Sequence, residues 1–359
     1  MHLLVNTGGG DAPGLNAVIR GVVLSAIRRG WHVSGIRRGY NGLLEEWPHG
    51  VIKLGREHVR GIAHVGGTIL GTVNKGNPFE YPVKENGKVV LKDVSDLVLA
   101  RMREVNADGL IAIGGDGSLR IAQKFIDKGM KVIGVPKTID NDLSATQVTF
   151  GFDSAVSVAT DAIDRLHSTA ESHQRVMVVE VMGRYAGWIA LNAGVSGGAN
   201  VVLIPEIEFD IEKVCASIKR RYETGRCFAI VVAAEGAKPK GGQMAIKGTE
   251  LGREVRLGGI AEQLAAQIGE RTGFETRSLV LGHLQRGGGP TTFDRLLALR
   301  FGCAAARLVE QGRWGHMVAW QPPSMVAVPI KEAISKMKDV PLDHDTVLAA
   351  RDLGVCLGD

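Results

Sequence analysis

Cysteine is scarce in this chain, and long apolar runs are absent. The four cysteines among 359 residues lie far apart and form no C-x-x-C pair: Cys215, Cys227, Cys303 and Cys356. That spacing argues against a disulfide framework or a zinc site and favours reduced thiols. No stretch approaches the ~18 apolar residues that a membrane span needs, and the first six residues run directly into glycines. We therefore expect a cytoplasmic protein with no signal peptide and no membrane partner.

Charge of one sign is not in large excess either. Lys and Arg total 43 against 38 Asp and Glu, which gives a net charge of +5 spread along the chain. This pattern does not predict a nucleic-acid partner, whereas a mildly basic enzyme suits phosphorylated small molecules. The length predicts about two domains. Glycine is abundant, with 48 residues, and many of them cluster beside Asp, Ser, Thr or Arg. Such clusters are typical of places where the backbone comes close to a ligand.

Short runs of Val, Ile and Leu alternate with helical patterns. One predicted helix has an apolar face from Val156 to Leu166 and Ser154 as its N-cap, and another ends near Arg29 before Gly30. This alternation predicts doubly wound α/β domains, in which ligands bind at the carboxyl ends of the strands. The predicted strands are His2–Asn6, His32–Ile36, Leu110–Ile113, Lys131–Val135, Val176–Val181, Val201–Ile204, Phe228–Ala233 and Ser278–Leu281.

The common nucleotide-binding motifs are missing. Pro13 takes the last glycine position of a G-x-G-x-x-G pattern, and Thr72 follows Gly66–Gly71 where a Walker A motif needs Lys. The glycine-rich loop Thr7–Asn16 nevertheless joins a predicted strand to a predicted helix. Its backbone N–H groups and the start of the helix could hold an anion, although a plain tight turn would have the same composition.

Two further loops follow predicted strands and carry carboxylates. In Gly114–Ser118, the glycines leave room for phosphates, and Asp116 could bind Mg²⁺ directly or through water. In Pro136–Asp142, residues two apart face one side of an extended loop, so Thr138, Asp140 and Asp142 could reach one site. Two carboxylates beside a transferring phosphoryl group indicate a base and a metal or proton partner.

Other chemistry-bearing residues also follow strands. Met182-Gly183-Arg184 and Glu235-Gly236 come after two of them, and Arg277, His283 and Arg286 bracket a third. The planar guanidinium of arginine suits phosphate oxygens. Taken singly, such an arginine is more often a surface ion pair and such a histidine a structural residue. Their shared position at strand ends favours a binding site.

Six sequence motifs occur in the order typical of the phosphofructokinase family, which the chain resembles over nearly its whole length. The motifs are Gly9–Ala17, Gly114–Ser118, Pro136–Asp142, Ser172–Arg175, Val179–Tyr185 and Gly282–Gly287. The resemblance implies two Rossmann-like α/β domains with the active site in the cleft between them. Residues 1–151 plus 285–335 would bind the phosphoryl donor, and residues 152–284 plus 336–359 would bind fructose 6-phosphate. It also implies Mg²⁺-dependent phosphoryl transfer to the sugar 1-hydroxyl.

Residue roles follow from the same resemblance. Asp140 resembles the general base, with Thr138 and Asp142 as its companions in the transition state, and Asp116 resembles the Mg²⁺-linked carboxylate. Donor contacts are implied for Gly9, Gly115, Gly117, Ser118 and Lys137. Sugar and 6-phosphate contacts are implied for Met182, Gly183, Arg184, Glu235, Arg277, His283 and Arg286. Arg175 resembles an arginine that reaches the sugar phosphate across a subunit interface, which predicts a homotetramer or homodimer.

One position departs from the family pattern, and two others bear on the choice of phosphoryl donor. Asn74 stands where many members have a phosphate-bridging arginine, and we expect Lys75 to supply that charge. Gly117 leaves open a space that Asp fills in pyrophosphate-using members, which favours ATP, whereas Lys137 matches the pyrophosphate pattern. The alternatives are a pyrophosphate-dependent enzyme, another kinase class with a G-G-D-G loop, and a catalytically silent subunit that binds sugar phosphate.

Overall fold

The computed structural model describes residues 1–73, 76–85, 87–248 and 256–359 as a mixed α/β structure. The helices are α1 Leu15–Arg28, α2 Ser95–Glu104, α3 Asp116–Asp127, α4 Phe152–His173, α5 Trp188–Ser196, α6 Ile211–Glu223, α7 Ile260–Thr272, α8 Thr292–Glu310, α9 Ile330–Ala333 and α10 Asp345–Asp352. Short 3₁₀ turns cover Asn41–Leu43 and Gly282–Arg286. None of the described helices is both long and apolar enough to span a membrane.

Most of the strands belong to two sheets. The strands are β1 His2–Thr7, β2 His32–Ile36, β3 Val51–Lys53, β4 Tyr81–Glu85, β5 Lys88–Lys92, β6 Gly109–Gly114, β7 Val132–Pro136, β8 Val176–Val181, β9 Val201–Leu203, β10 Ala229–Ala234, β11 Ile246–Gly248, β12 Arg256–Leu257, β13 Thr276–Val280, β14 His316–Gln321 and β15 Ser324–Pro329. A seven-stranded sheet has the order β15-β14-β7-β6-β1-β2-β3, and a four-stranded sheet has the order β13-β8-β10-β9.

The seven-stranded sheet is parallel through its centre and antiparallel at both edges. Ile111 on β6 pairs with Val5 on β1 and with Ile133 on β7, and all three side chains are buried. These residues pack under α1 and α8, while the alternate residues Leu4 and Leu110 pack against α3 on the opposite face. Helices cover both faces, which explains the unbroken apolar runs of these strands.

The four-stranded sheet is entirely parallel and is covered in the same way. Val179 and Val181 of β8 face α4 and α5, whereas Val176 and Val178 face α6 and α7. The β13 strand forms one edge of this sheet, and most of its residues are exposed. The prediction of α/β architecture with parallel sheets is therefore confirmed.

The eight predicted strands are all present: two have the predicted bounds, and the other six differ by one or two residues at one or both ends. The unpredicted strands are β3, the hairpins β4–β5 and β11–β12, and the antiparallel pair β14–β15. The prediction that Gly30 ends α1 is confirmed, since Gly30 has φ of 73° after the last turn. The prediction of Ser154 as an N-cap is wrong. Gly151 takes that position, and the Ser154 hydroxyl lies inside the helix, where it donates to the buried Asp294 carboxylate at 2.7 Å.

The two sheets draw on different parts of the chain. The strands of the seven-stranded sheet lie within residues 1–151 and 285–335, and those of the four-stranded sheet lie within residues 152–284. Beyond α10, the backbone of Cys356 pairs with that of Val201 on β9 as an isolated parallel β-bridge. The domain boundaries themselves stay a prediction.

Candidate active site

Three glycine- and acid-bearing loops leave adjacent strands at the same edge of the seven-stranded sheet. Thr7 is level with Ile113, and Gly114 is level with Pro136. The amide of Gly8 donates to the carbonyl of Ile113 at 2.9 Å, and the amide of Lys137 donates to the carbonyl of Gly114 at 2.9 Å. The loops that follow β1, β6 and β7 therefore meet in one place.

Close packing explains some of the glycines in these loops. A Cβ on Gly8 would lie 2.6 Å from Ser118 Oγ, and one on Gly10 would lie 2.8 Å from Arg286 Nη1. Gly117 differs, because a Cβ there would meet nothing within 4 Å. The protein itself therefore does not require glycine at position 117, and the space beside it is available to a ligand.

Lys137 is a buried cation beneath the first glycine loop. Its Nζ donates to the carbonyl of Gly10. Burial and the nearby Arg286 lower the pKa of Lys137 to about 8, while Asp140 and Asp142 oppose this shift. The ammonium group therefore lies between the glycine loop and the paired carboxylates, where it can face an anion.

The Asp140–Asp142 loop is held in one conformation. The amide of Asp140 donates to Thr138 Oγ1 at 3.1 Å, and the Thr149 hydroxyl donates to the carbonyl of Thr138 at 2.7 Å. Asn141 has φ of 54°, and its Oδ1 accepts from the amide of Thr149 at 3.2 Å. These contacts keep the two carboxylates on a turn of fixed geometry.

Asp142 is the strongly perturbed acid of this loop. Burial, with help from the charges of Asp140 and Asp116, raises the pKa of Asp142 to about 7, and Lys137 acts in the opposite direction. Its Oδ1 is buried and has no hydrogen-bond partner. An unsatisfied buried carboxylate oxygen beside other carboxylates is an arrangement that a cation would relieve.

Asp116 opens α3 at the edge of the same site. Its Oδ2 accepts from Arg120 Nε at 2.7 Å, and Arg120 Nη2 also donates to the carbonyl of Ile334 at 2.9 Å. Within the described residues, no three His, Cys, Asp or Glu side chains come close enough to enclose a metal ion. Asp116 and the free oxygen of Asp142 do suit Mg²⁺, which is commonly held by one or two carboxylates together with substrate phosphates.

A second group of predicted residues follows the strands of the four-stranded sheet. The amide of Glu235 donates to the carbonyl of Val181 at 2.8 Å, and the amide of Met182 donates to Gln285 Oε1 at 3.3 Å. Gln285 is fully buried and also donates to the carbonyl of Gly282 at 3.1 Å. It holds the turn that carries His283 against the end of β8, a role that its place in a motif did not reveal.

The charged residues that follow the two sheets lie close enough to interact with one another. Burial and the charge of Asp140 raise the pKa of Glu235 to about 7, while Arg184 and Arg286 oppose the shift. Arg286 also lowers the pKa of Lys137, and its Nη1 donates to the carbonyl of Asp11 at 2.9 Å. Asp140 and Arg286 therefore face residues from both sheets.

Two of the predicted sugar-phosphate residues lie elsewhere. Arg175 precedes β8, and Arg277 lies near the start of β13. Both pair with Glu275, with an Arg175 Nε–Oε2 distance of 3.0 Å and an Arg277 Nη2–Oε1 distance of 2.7 Å. The six residues of β8 separate this end of the sheet from Met182 by roughly 17–20 Å. A single chain does not bring these arginines to the cleft, and Asn74 and Lys75 lie outside the described residues.

Comparison with known proteins agrees with this geometry. A family model described as phosphofructokinase matches residues 2–309. "ATP-dependent 6-phosphofructokinase 1" of Synechocystis sp. is 48% identical over 98% of this chain and 97% of its own length. "ATP-dependent 6-phosphofructokinase 2" of Clostridium perfringens is 47% identical over 99% and 98%. A Streptomyces coelicolor protein, "Pyrophosphate--fructose 6-phosphate 1-phosphotransferase", is 49% identical over 95% and 96%.

Solved structures agree at the level of the fold. The Pichia pastoris phosphofructokinase in the T-state superposes with a TM-score of 0.80 at 29% identity, covering 99% of this chain and 37% of that longer chain. A pyrophosphate-dependent phosphofructokinase from Marinobacter aquaeolei has a TM-score of 0.80 at 23% identity, over 100% of this chain and 92% of its own. The chain thus belongs to the phosphofructokinase family.

Proposed function

We propose that this protein is an ATP-dependent 6-phosphofructokinase that transfers a phosphoryl group to the 1-hydroxyl of fructose 6-phosphate. The observation that carries the proposal is the meeting of loops from both sheets near Asp140. Arg286 Nη1 donates to the carbonyl of Asp11 at 2.9 Å, and the adjacent Gln285 accepts from the amide of Met182 at 3.3 Å. The charge of Asp140 also raises the pKa of both Asp142 and Glu235. A carboxylate between a donor loop and an acceptor loop is where phosphoryl transfer needs a base. The names of the Synechocystis and Clostridium perfringens relatives support an ATP-dependent 6-phosphofructokinase.

Asp140 would take the proton of the sugar 1-hydroxyl as that oxygen attacks the transferred phosphorus. Thr138 holds the backbone of Asp140, and Lys137 beneath the loop would offset charge that develops on the phosphoryl oxygens. Met182, Gly183, Arg184, Glu235 and His283 would bind the sugar from the facing strand ends. Arg286, at the junction of both groups, would bind a phosphate.

The residues around Asp142 fit Mg²⁺. Asp116 and the unpartnered Oδ1 of Asp142 would hold the ion together with donor phosphates. When bound, Mg²⁺ would supply positive charge that offsets the negative charge of the phosphates during transfer. Burial raises the pKa of Asp142 to about 7 in the absence of the ion, and a bound cation would lower it.

The donor would lie against the first two glycine loops. Gly9, Gly115, Gly117 and Ser118 surround the start of α3, whose free N–H groups attract phosphate. The open space at Gly117 favours a nucleotide over pyrophosphate. Pyrophosphate remains the alternative donor because Lys137 matches the pattern of pyrophosphate-using members, and one such relative is 49% identical.

The sheets support the domain division stated above, with residues 1–151 plus 285–335 holding the donor and residues 152–284 plus 336–359 holding the sugar phosphate. Each part contains one of the two main sheets and its covering helices. Loops at the carboxyl ends of both sheets meet in the cleft. Both substrates are phosphorylated metabolites of the cytoplasm, where we propose the enzyme works.

The working assembly would be a homodimer or homotetramer. Arg175 and Arg277 cannot reach the cleft of their own chain, and the edge strand β13 beside them exposes Leu279 and Val280, each 37% accessible. Parallel sheets are usually covered, so a second copy fits this edge and would bring both arginines to its sugar phosphate. Mixing an Asp140→Asn chain with an Arg277→Ala chain tests this, because shared sites regain activity. A fully active monomer in sedimentation would exclude it.

A coupled assay tests the function. Purified protein is supplied with fructose 6-phosphate and Mg²⁺, and with ATP or pyrophosphate in turn, while fructose 1,6-bisphosphate is followed through aldolase and a dehydrogenase. We expect turnover with ATP and much less with pyrophosphate. Turnover with pyrophosphate alone would reverse the donor assignment and leave the acceptor unchanged. Absence of turnover with both donors would favour a silent sugar-phosphate-binding subunit.

A further inference from the structure

Lys338 contacts the loop that carries Asp140 and Asp142, called here the catalytic loop, from a distant part of the chain. It lies between α9 and α10, and its Nζ donates to Asn141 Oδ1 at 3.4 Å, to the carbonyl of Thr146 at 3.3 Å and to the carbonyl of Gln147 at 2.6 Å. An ammonium group has three N–H donors. All three are used on the segment that continues directly from Asp140.

The backbone of Lys338 joins the same loop to the other side of the cleft. Its amide donates to the carbonyl of Asp142 at 2.9 Å, and its carbonyl accepts from Trp188 Nε1 at the start of α5 at 2.8 Å. The Lys338 ammonium lies 5.2 Å from the centre of the Trp188 ring. Two residues on, the amide of Val340 donates to Glu206, whose carboxylate also accepts from the amide of Gly187. The 338–340 segment is thus a strap between the catalytic loop and α5.

The ammonium charge of Lys338 is partly buried, which is costly unless the group is paired or hydrogen-bonded. Burial lowers the pKa of Lys338 to about 8, and the Asp142 carboxylate acts against that shift. Its three hydrogen bonds to the Asn141–Gln147 turn offset the cost of burying this charge.

We propose that Lys338 is a positioning residue for phosphoryl transfer, which holds the Asn141–Gln147 turn and with it the placement of the preceding Asp140 carboxylate. The inference rests on the proposed function. It predicts an effect on kcat with little effect on the KM of either substrate. A residue that merely stabilised the fold would change the melting temperature and leave the kcat of the folded protein unchanged.

The test replaces Lys338 by Met, which keeps length and volume and removes the charge and the donors. Lys336→Met is the matched control, because Lys336 is exposed on the same segment. We expect kcat of Lys338→Met to fall by about 10- to 100-fold, as a misplaced catalytic group does, with both KM values within about threefold of wild type. Lys338→Arg, which keeps the charge and N–H donors, should restore most of kcat.

A kcat equal to that of Lys336→Met would overturn the inference. If Lys338→Met does not fold, as judged by circular dichroism, Lys338→Gln keeps amide donors, and its kcat should still fall because its shorter side chain cannot bond all three acceptors. A wild-type kcat in folded Lys338→Gln would also overturn it. Wild-type turnover is measured first: its absence counts against the proposed function, whereas normal turnover in Lys338→Met counts only against the role of Lys338.

Discussion

Replacing Gly117 by Asp tests the structural basis of donor choice. The Cβ of the new residue would meet no protein atom within 4 Å, so the change does not disturb packing. Position 117 lies in the first turn of α3, where an added carboxylate is stabilising by about 0.3–1 kcal/mol. The protein should therefore fold at least as well as wild type. Any change in activity then reports on the ligand and not on the fold.

The expected size of the effect follows from charge repulsion. The open space beside Gly117 is where we expect the inner phosphate of a nucleotide to lie. Two unit charges about 4 Å apart interact by about 4 kcal/mol at the effective dielectric of a protein surface, which is a factor of about 10³ at most. Screening by Mg²⁺ and solvent reduces this, so we expect the KM for ATP to rise by about 10- to 100-fold. Pyrophosphate has no group there and should be affected less.

The assay measures kcat/KM for both donors in wild type, Gly117→Asp and Gly117→Asn. The Asn variant adds the same bulk without the charge, so it separates steric from electrostatic effects. We expect the ratio of ATP to pyrophosphate efficiency to fall strongly in Gly117→Asp and by less in Gly117→Asn. An equal loss for both donors, or unchanged use of ATP, would refute the reasoning.

Three further changes test other parts of the site. Because the pKa of Glu235 is raised to about 7, its carboxylate protonates as the pH falls below 7, and the KM for fructose 6-phosphate should rise there; Glu235→Gln should remove that dependence in initial-rate profiles. Burial raises the pKa of Asp294 to about 6 from 3.8, so stability falls as pH rises from about 4 through 6, by about 3 kcal/mol. Urea unfolding of Asp294→Asn should lack that decline. Lys75→Ala should lower kcat, and unchanged turnover would exclude Lys75 as the phosphate-bridging charge.

Sequence reasoning succeeded where the pattern is local. β1, β6 and β7 are continuous Val, Ile and Leu runs because helices cover both faces, and each is followed by a loop rich in glycine or acid. The β14 and β15 strands escaped prediction because they are an antiparallel pair with short apolar runs, and no glycine- or acid-rich loop follows either of them. The hairpin β4–β5 is exposed and lacks the apolar alternation that a packed sheet imposes.

Long-range contacts account for the rest. Ser154 looks like a helix cap in sequence, yet Asp294, 140 residues away, receives its hydroxyl. Lys338 carries no motif, and its importance comes from the Asn141–Gln147 turn reaching it in space. The sequence predicts Arg277 as a binding residue from its place beside a strand, but its position at the opposite end of β13 from the cleft appears only in three dimensions.

The most direct test of the account is the turnover of Asp140→Asn with ATP and fructose 6-phosphate. The change keeps the size of the side chain and removes the base. Loss of a general base costs about 10²–10⁴-fold in rate, or about 3–5 kcal/mol of barrier. We predict a fall in kcat of that size with a much smaller change in the KM for fructose 6-phosphate. A kcat within about threefold of wild type would contradict the account, because Asp140 would then be a structural turn residue.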